Sequence, residues 1–491
     1  MVNNFGAKKN LLPVITVTGR KATGRSRSSP TDAASVRLGI PVDPCRQASR
    51  AERTLPHEGP SIGSPRRSQS ERHQKPMKPF SELTHFAGFD WAKDHHDVVI
   101  LDRQGQIVNE LTFAHSAEGW QRWRQCVQAY PALGVAIETS SGPAVEKLLE
   151  SGATVFPMNP KSAKSYRLRK APSGNKTDRL DAWSFADGLR TDGHGWRALA
   201  PLDPLVQELR LLCRDEVELI QQRTALVNQL QQALSEYYPA ALQAFDDWTV
   251  DYAWRFIKAF PTPAALVKAG RRRWENFLHQ HRLYRPNTVQ TRLEIFAKAT
   301  EFAASEGISR AKSRLALSLV ATLLVLEEQL QQYRLAITEL FARHPDHDLF
   351  GSLPGAGDKL APRLLSEIGQ DRNFFTSLEG LQCVAGTAPV SFQSGQVHLA
   401  RIRWHCNKHL RCALHLWADC SRKYCAWAQA FYQAHRARGS THACALRRLG
   451  QRWLKILWTM WQEHQPYDPE RHTRNQQKHG SWLLTLHPAK A

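Results

Sequence analysis

Among its nine cysteines the 491-residue chain has no Cys-x-x-Cys pair. That argues against a zinc ribbon and a disulfide framework, and fits a reducing compartment. The chain also lacks a long uncharged apolar run, so no membrane span is expected. Acid is scarce relative to base: 45 Asp and Glu face 66 Lys and Arg, for a formal net charge of +21. Such a surface is poised for a polyanion. Nucleic acid is the first candidate and an acidic membrane the weaker one. Residues 1–80 have few aromatics and no sustained periodicity, and are rich in Arg, Ser, Pro and Gly. Such a segment buries too little apolar area to offset chain entropy and reads as a disordered basic extension. Leu11–Val17 is short and broken by Pro13, so it is no signal peptide. The extension is either an arm that touches phosphates or lies upstream of a true start at Met77. The second reading is favoured, and peptides from before Met77 in the native protein would overturn it.

At this length two or three domains are expected, and 42% hydrophobic residues is ordinary for a soluble protein. Order begins near His85. His85–Trp91 reads as a buried strand, followed by strands at Asp97–Asp102 and Ile107–Phe113 on either side of an Arg103–Gln106 turn. Ala117–Tyr130 reads as a helix with Trp120, Trp123 and Val127 on one side. Gly134–Thr139 is a fourth strand, Pro143–Glu150 a helix, Ala153–Met158 a fifth strand, and Pro160 opens another helix. Three consecutive antiparallel strands and then αβ units are the plan of a ribonuclease H-like domain.

The acids have particular places in that plan. Asn175–Ala182 reads N-K-T-D-R-L-D-A, with Asp178 and Asp181 three apart. If a helix starts here, capped by Thr177, both carboxylates share one face. On its own this is an acidic first turn complementing the helix dipole. Asp90 lies inside the first strand, between Phe89 and Trp91, where an unpaired charge costs several kcal/mol. Glu138 ends the fourth strand, beside the first. Four carboxylates would then meet at one sheet edge, offering the hard oxygen ligands that two magnesium ions need.

Phe185–Pro201 thins into a linker with Gly188, Gly193 and Gly195. Val206, Cys213, Ile220, Val227 and Leu234 then recur every seven residues, and Leu319 to Leu340 carry a second heptad pattern. These predict an antiparallel helical pair over 202–345, with a small helical insert, Phe260–Glu306, at its tip. Heptads do not choose between pairing within a chain and pairing between chains. Leu353–Gly357 (L-P-G-A-G) precedes a helix at Leu360–Ile368 and resembles a helix-hairpin-helix that grips a DNA backbone. Ala388–Gly395 reads as a loop with two serines, Ser391 and Ser394, leading into Arg401, Arg403, Asn407, Lys408, His409 and Arg411. A serine beside clustered cations can attack a phosphodiester, although most loop serines only turn or cap the chain. The nearby His405, Cys406, Cys412, His415, Cys420 and Cys425 fit no zinc template. An apolar helix face around Trp453–Trp461 closes this region, and residues 469–491 read as a loose polar tail.

In order, the motifs are F-D-W-A-K-D-H-H-D, I-E-T-S-S-G-P, N-K-T-D-R-L-D-A, and P-G-A-G followed by A-P-V-S-F-Q-S-G. With them the chain, from about Phe86 to Asp468, resembles the DEDD transposases of bacterial insertion sequences, the insertion sequence 110 family. The resemblance implies a RuvC-like, ribonuclease H-like domain over 85–195 and a coiled-coil arm over 202–345. It also implies a mostly helical C-terminal transposase domain with a serine nucleophile over 348–468. Asp90, Glu138, Asp178 and Asp181 map onto the Mg²⁺-binding tetrad and Ser394 onto the serine, with Ser391 as its rival. Lys176, Arg179, Arg401, Arg403, Lys408 and Arg411 are the candidate nucleic-acid contacts. The implied partners are double-stranded DNA at element ends and target, a structured guide RNA, and further copies of the chain in a dimer or tetramer. The implied location is a bacterial cytoplasm, at the nucleoid, without membrane. Two departures stand out: Cys406 precedes Asn407 where the family has glycine, and Gly395–Leu399 is poorer in glycine and lysine than the family loop. Two other readings remain open, a metal nuclease or junction resolvase on the same fold and a decayed binding protein. A sugar-kinase-like ATPase ranks low, because no glycine-rich phosphate loop follows Asp90.

Overall fold

A computed structural model describes residues 78–200, 203–482 and 484. The expectations for residues 1–77, including a start at Met77, lie outside the described residues. The first ordered region runs β1 (His85–Trp91), β2 (His95–Leu101), β3 (Ile107–Ala114), α1 (Ala117–Ala129), β4 (Leu133–Ile137), α2 (Pro143–Glu150), β5 (Thr154–Pro157), α3 (Pro160–Lys170) and α4 (Asp178–Asp192). The five strands form one sheet in the order β3-β2-β1-β4-β5. β1 pairs antiparallel with β2, and β2 with β3, whereas β4 is parallel to β1 and β5 to β4.

The period-2 pattern of β1 decides what covers each face. Ala87 and Phe89 point to one side and pack with Val98, Ile100 and the buried Trp120 and Trp123 of α1. Phe86, Gly88 and Asp90 point to the other side, where α4 lies. Phe86 packs with Phe185 and Leu189 of α4, and Val99 and Leu101 of β2 pack with Ala182 and Ala186. Gly88 makes the approach possible. A Cβ there would lie 1.8 Å from the Ala182 carbonyl oxygen and 2.6 Å from the Ala186 nitrogen, both backbone atoms that no rotamer change can move.

α4 also corrects an expectation. The predicted linker from Phe185 onward is helical to Asp192, with Phe185, Ala186 and Leu189 buried. Gly188 inside a helix costs about 1 kcal/mol relative to alanine. Here it faces the Tyr166 ring, and the apolar burial around it outweighs that cost.

The second region is an antiparallel pair, α5 (Pro204–Tyr237) and α10 (Glu306–Ala342). Its ion pairs join residue 236 to 312, 223 to 327 and 216 to 334, so one helix descends as the other climbs. Between them lie α6 (Pro239–Ala244), α7 (Asp251–Ala259), α8 (Pro263–Gln280, broken at Gly270) and α9 (Pro286–Ala297). The insert therefore begins at Pro239 and not at Phe260. Its aromatic residues, among them Trp254, Phe256 and Phe296, share a core with Leu230, Leu234 and Leu323 of the pair.

The third region comprises α11 (His347–Gly351), α12 (Gly357–Ile368), α13 (Leu378–Val384), β6 (Val390–Ser394), β7 (Val397–Arg401), α14 (Lys408–Tyr424), α15 (Ala426–Ala437), α16 (His442–Glu463) and α17 (Pro469–Lys478). Its core includes Leu209 and Cys213 of α5 and Ile337 and Leu340 of α10, so the root of the helical pair is part of it. The L-P-G-A-G turn is occupied internally. At Gly355, with φ 73°, an added Cβ would lie 3.0 Å from backbone atoms of Cys420 and Ser421, and the Pro354 carbonyl accepts from Trp417 Nε1 at 3.0 Å. The expected loose tail is instead helical over Pro469–Lys478. Asp468 caps it, its Oδ1 accepting from the Glu470 and Arg471 nitrogens at 2.8 and 3.0 Å. Among the described residues no helix is long and apolar enough to cross a membrane.

Gly88→Ala should force α4 off β1 and lower the unfolding free energy by about 3 kcal/mol or more. Chemical denaturation measures this, and a change below about 1 kcal/mol would show that the contact yields.

Candidate active site

Asp90 lies at the carboxyl end of β1, on the α4 face, directly opposite Asp97 of β2 in the antiparallel register. Because β4 and β5 are parallel to β1, their carboxyl ends reach the same edge. Glu138 follows Ile137 there, at the end of β4. α4 begins at this edge: Thr177 Oγ1 accepts from the Leu180 nitrogen at 3.2 Å, and the first helical turn carries Asp178 and Asp181. Asp178 is exposed and Asp181 is buried. Burial, and after it the neighbouring carboxylates of Asp181, Asp178, Glu138 and Asp97, push the Asp90 carboxyl from 3.8 up to about 7. Of the four acids expected from the sequence, Glu138, Asp178 and Asp181 are thus each within electrostatic reach of Asp90.

Three further residues belong to this cluster. Ligand atoms of His95, Asp97 and Asp178 all lie within 4.8 Å of one another. His95 Nε2 is 3.5 Å from Asp97 Oδ2 and 3.8 Å from Asp178 Oδ2, while Asp97 Oδ1 accepts from Thr112 Oγ1 at 2.5 Å. Arg167 of α3 donates to Asp181 Oδ1 at 2.6 Å and neutralises one acid from within. The donor set suits a hard divalent cation. It offers clustered carboxylate oxygens, one of which holds its proton near neutrality through burial first and its acidic neighbours second, and a cation would relieve the repulsion among them.

Ser391 and Ser394 do not lie in a loop. They belong to the hairpin β6–β7, closed by the two-residue turn Gly395-Gln396 with Gly395 at φ 56°. A two-residue hairpin turn needs φ > 0, which glycine supplies. Both strands are exposed along their whole length, and among the described residues neither serine side chain forms a hydrogen bond. The candidate cations have different occupations. Lys176, Arg401 and Lys408 are exposed. Arg401 stacks over the Phe392 ring at 4.3 Å. Arg179 grips Glu110 through both oxygens. Arg403 donates to the Ala388 carbonyl at 3.3 Å and Arg411 to the Arg403 carbonyl, so these two hold the segment in place.

A cavity of about 470 Å³ opens between that segment and the sheet. Asn159, which caps α3 just past β5, forms one wall, and Arg403–Lys408 with Cys383 and Val384 form the rest. Trp404 lines it while 71% exposed. The chain that follows the serine hairpin is thereby brought to the corner of the sheet edge on which the acids converge. Asn407 fixes it, capping α14 and donating Nδ2 to Glu367 Oε2 at 2.7 Å.

A transposase family model matches residues 87–239, and a model of IS116/IS110/IS902 family transposases matches residues 347–433. The transposase named for the mini-circle IS117 of Streptomyces coelicolor is 34% identical over 410 residues, covering 79% of this chain and 96% of that protein. The chain belongs to the IS110/IS116/IS902 transposase family. Its other relatives include a 44.8 kDa protein of insertion element IS116 from Streptomyces clavuligerus, 27% identical over 78% of this chain and 96% of that one. A 42 kDa protein of IS900 from Mycobacterium paratuberculosis is 30% identical over 60% and 73%. The protein is therefore an enzyme of DNA transposition, and its substrate is DNA. The two matched spans contain the acid cluster and the serine hairpin respectively.

For this transposase, the sequence reading missed Asp97, His95, Arg167 and Trp404. Alternation along β2 places His95 and Asp97 on one face, opposite Asp90, so that signal was present in F-D-W-A-K-D-H-H-D. Nothing in the sequence marks Arg167 among the other cations of α3.

Because the folded protein holds the Asp90 proton more tightly than the unfolded chain does, stability without divalent cation should fall as pH rises from about 4 to about 7. Asp90→Asn should flatten that fall. It should leave the chelated protein more stable near pH 7.5 by on the order of 2 kcal/mol, discounted for solvent screening. Denaturant melts at both pH values measure it, and an unchanged slope would remove Asp90 from the cluster.

Proposed function

We propose that this transposase cleaves and exchanges DNA strands through a serine–DNA phosphodiester, with Ser394 as the nucleophile. The carboxylates of Asp90, Glu138, Asp178 and Asp181 form the other half of a composite site. The observation that carries the reading is the convergence of these acids at the carboxyl end of β1. The strand order β3-β2-β1-β4-β5 supports reading the sheet region as a ribonuclease H-like, RuvC-like domain. A magnesium ion held by the tetrad would neutralise charge on the scissile phosphate. Ser394 Oγ forms a bond to phosphorus as the bond to a deoxyribose oxygen breaks. The leaving oxygen takes up a proton for the one the serine gives up. Attack by a strand hydroxyl then reverses the exchange, so neither water nor ATP is consumed. Exposed cations, Lys176, Arg401 and Lys408, bind phosphates without reading sequence.

Sequence choice is assigned to pairing with a structured guide RNA, which asks of the protein mainly backbone contacts and positive charge. The exposed Leu211, Val325 and Leu335 on the helical pair support a homo-oligomer in which one copy's hairpin meets another's acids. A bacterial cytoplasmic setting at the nucleoid follows from this chemistry.

Protein mixed with nicked target DNA and Mg²⁺, then denatured, should retain a covalent adduct. Ser394→Ala should lower its yield by about 10³-fold or more, and Ser391→Ala should leave it in place. An adduct that survives Ser394→Ala reassigns the nucleophile. Free ends without an adduct would make the tetrad a hydrolytic nuclease.

A further inference from the structure

A second cavity, of about 630 Å³, lies between α16 and α17, and the chemistry assigned above does not use it. That volume is within the range of small-ligand sites, roughly 300–1,000 Å³. Its roof is unusual. The sequence of α17, P-E-R-H-T-R-N-Q-Q-K, contains no aliphatic side chain, so the helix is not held down by an apolar stripe. It is seated instead by the Asp468 cap, an Arg471–Glu463 ion pair at 2.6 Å, the buried Gln476 and the His472 ring 4.7 Å from that of Trp427, and it leaves beneath it a hollow lined by both polar and apolar groups, Ile456 and Met460 among the latter.

The floor supplies positive charge. Arg452 and Lys455 of α16 line the hollow, and among the described residues neither has a carboxylate partner. Arg452 is half-buried, and burial alone acts on it, lowering its affinity for the proton. Among the described residues Asp468 is the only acid lining the cavity, and its Oδ1 is already engaged with the amide groups that open α17. A half-buried guanidinium with no internal counter-ion is costly unless an anion comes to it.

The walls add what a bare phosphate would not need. Tyr467 presents a ring held in place, its hydroxyl accepting from Trp427 Nε1 at 3.1 Å and its ring 5.5 Å from that of Trp453. Trp482 stands at the rim, 38% exposed, with Arg438 over its ring at 5.1 Å and Phe431 at 5.8 Å. Asn475 brings an amide group that can both donate and accept, while the Gln476 Nε2 is already taken up by the His472 ring at 3.0 Å. Burial and Arg452 lower His472 to about 4, so near neutral pH it is an uncharged ring, held by Gln476 and packed on Trp427, that does not compete with the two cations for an anion. Unpaired cations, aromatic faces and amide edges around one hollow are the means by which proteins hold a splayed-out base with its phosphate.

We propose that the cavity between α16 and α17 binds one unpaired nucleotide of a single-stranded nucleic acid, its phosphate on Arg452 and Lys455 and its base against Tyr467 and Trp482. The site is distinct from the carboxylate edge and the serine hairpin. The proposal rests on the reading that the chain handles nucleic acid but not on its catalytic scheme.

The test uses the full chain carrying Ser394→Ala and no divalent cation, so that no cleavage intervenes whichever group is the nucleophile. Short single strands with one 4-thiouridine, or 4-thiothymidine in the DNA arm, are bound and irradiated, and the adduct is mapped by mass spectrometry. Adducts should fall within Pro466–Trp482, and comparison of the RNA and DNA arms identifies which strand the site takes. Arg452→Gln with Lys455→Gln should weaken oligonucleotide binding about tenfold or more. Lys478→Gln, outside the cavity, should weaken it far less. Where the double variant loses its cooperative melt, Thr459→Trp, which fills the hollow from its exposed rim, replaces it and should abolish the adduct. Adducts confined to other segments, an equal effect of Lys478→Gln, or indifference to Thr459→Trp would each overturn the assignment. Because no strand exchange is measured, a wrong nucleophile cannot mimic any of these outcomes.

Discussion

The close approach of α4 to β1 is the contact on which the candidate site depends. Two backbones come together because Gly88 has no side chain, with Ala182 and Ala186 facing it. That fit sets the height of α4 on the sheet and hence where its first turn ends up. Asp178 and Asp181 reach Asp90 only because the next two turns lie flat on the strand. The convergence of acids is thus maintained by apolar burial a turn or two away, around Phe86, Phe185 and Leu189. Packing is what holds like charges together against their repulsion.

The same division between apolar anchoring and charge recurs in the helical pair. Each end has its own apolar core, and the waist between them is polar. Glu216 there binds Arg363 at 2.7 Å and Arg334 at 3.4 Å, while Glu327 binds Arg223 at 2.6 Å and Arg334 at 3.0 Å. Next to it, Glu367 takes both Arg214 and Asn407, and the cations keep its proton affinity low despite burial. Asn407 begins α14, directly after the segment that lines the cavity at the sheet edge. Charges buried in the root of the pair therefore orient the chain that leads from the serine hairpin. Buried pairs of this kind are weak sources of stability but strict in geometry.

Much of the sheet region was legible because its strands are short, apolar and separated by clear turns. β1 and α2 fall on the expected residues, and Thr177 caps α4 as its spacing implied. The errors share a cause. Gly188 and Gly193 suggested a linker, the polarity of residues 469–478 a loose tail, and Ser391–Gly395 a loop, each from local composition. In each case a partner distant in sequence, or a cap, made the regular structure worthwhile: the Tyr166 ring under Gly188, Asp468 ahead of α17, and the β7 strand beside β6. Arg167 and Trp404 were invisible because what distinguishes them is position. One is the cation that happens to meet Asp181, and the other is a tryptophan left in the open.

What the sequence determined by itself was the inventory and its order: which strands form, which acids sit at their ends, and which helix begins with two aspartates. Period and capping are local properties, written within a few residues of where they act. Only the tertiary structure decided which carboxylates come within reach of Asp90, which arginines are already taken by the protein, and that a polar helix roofs a hollow with two unpaired cations in its floor. Those outcomes depend on distances between segments far apart in the chain, and such distances follow from how side-chain volumes fit together.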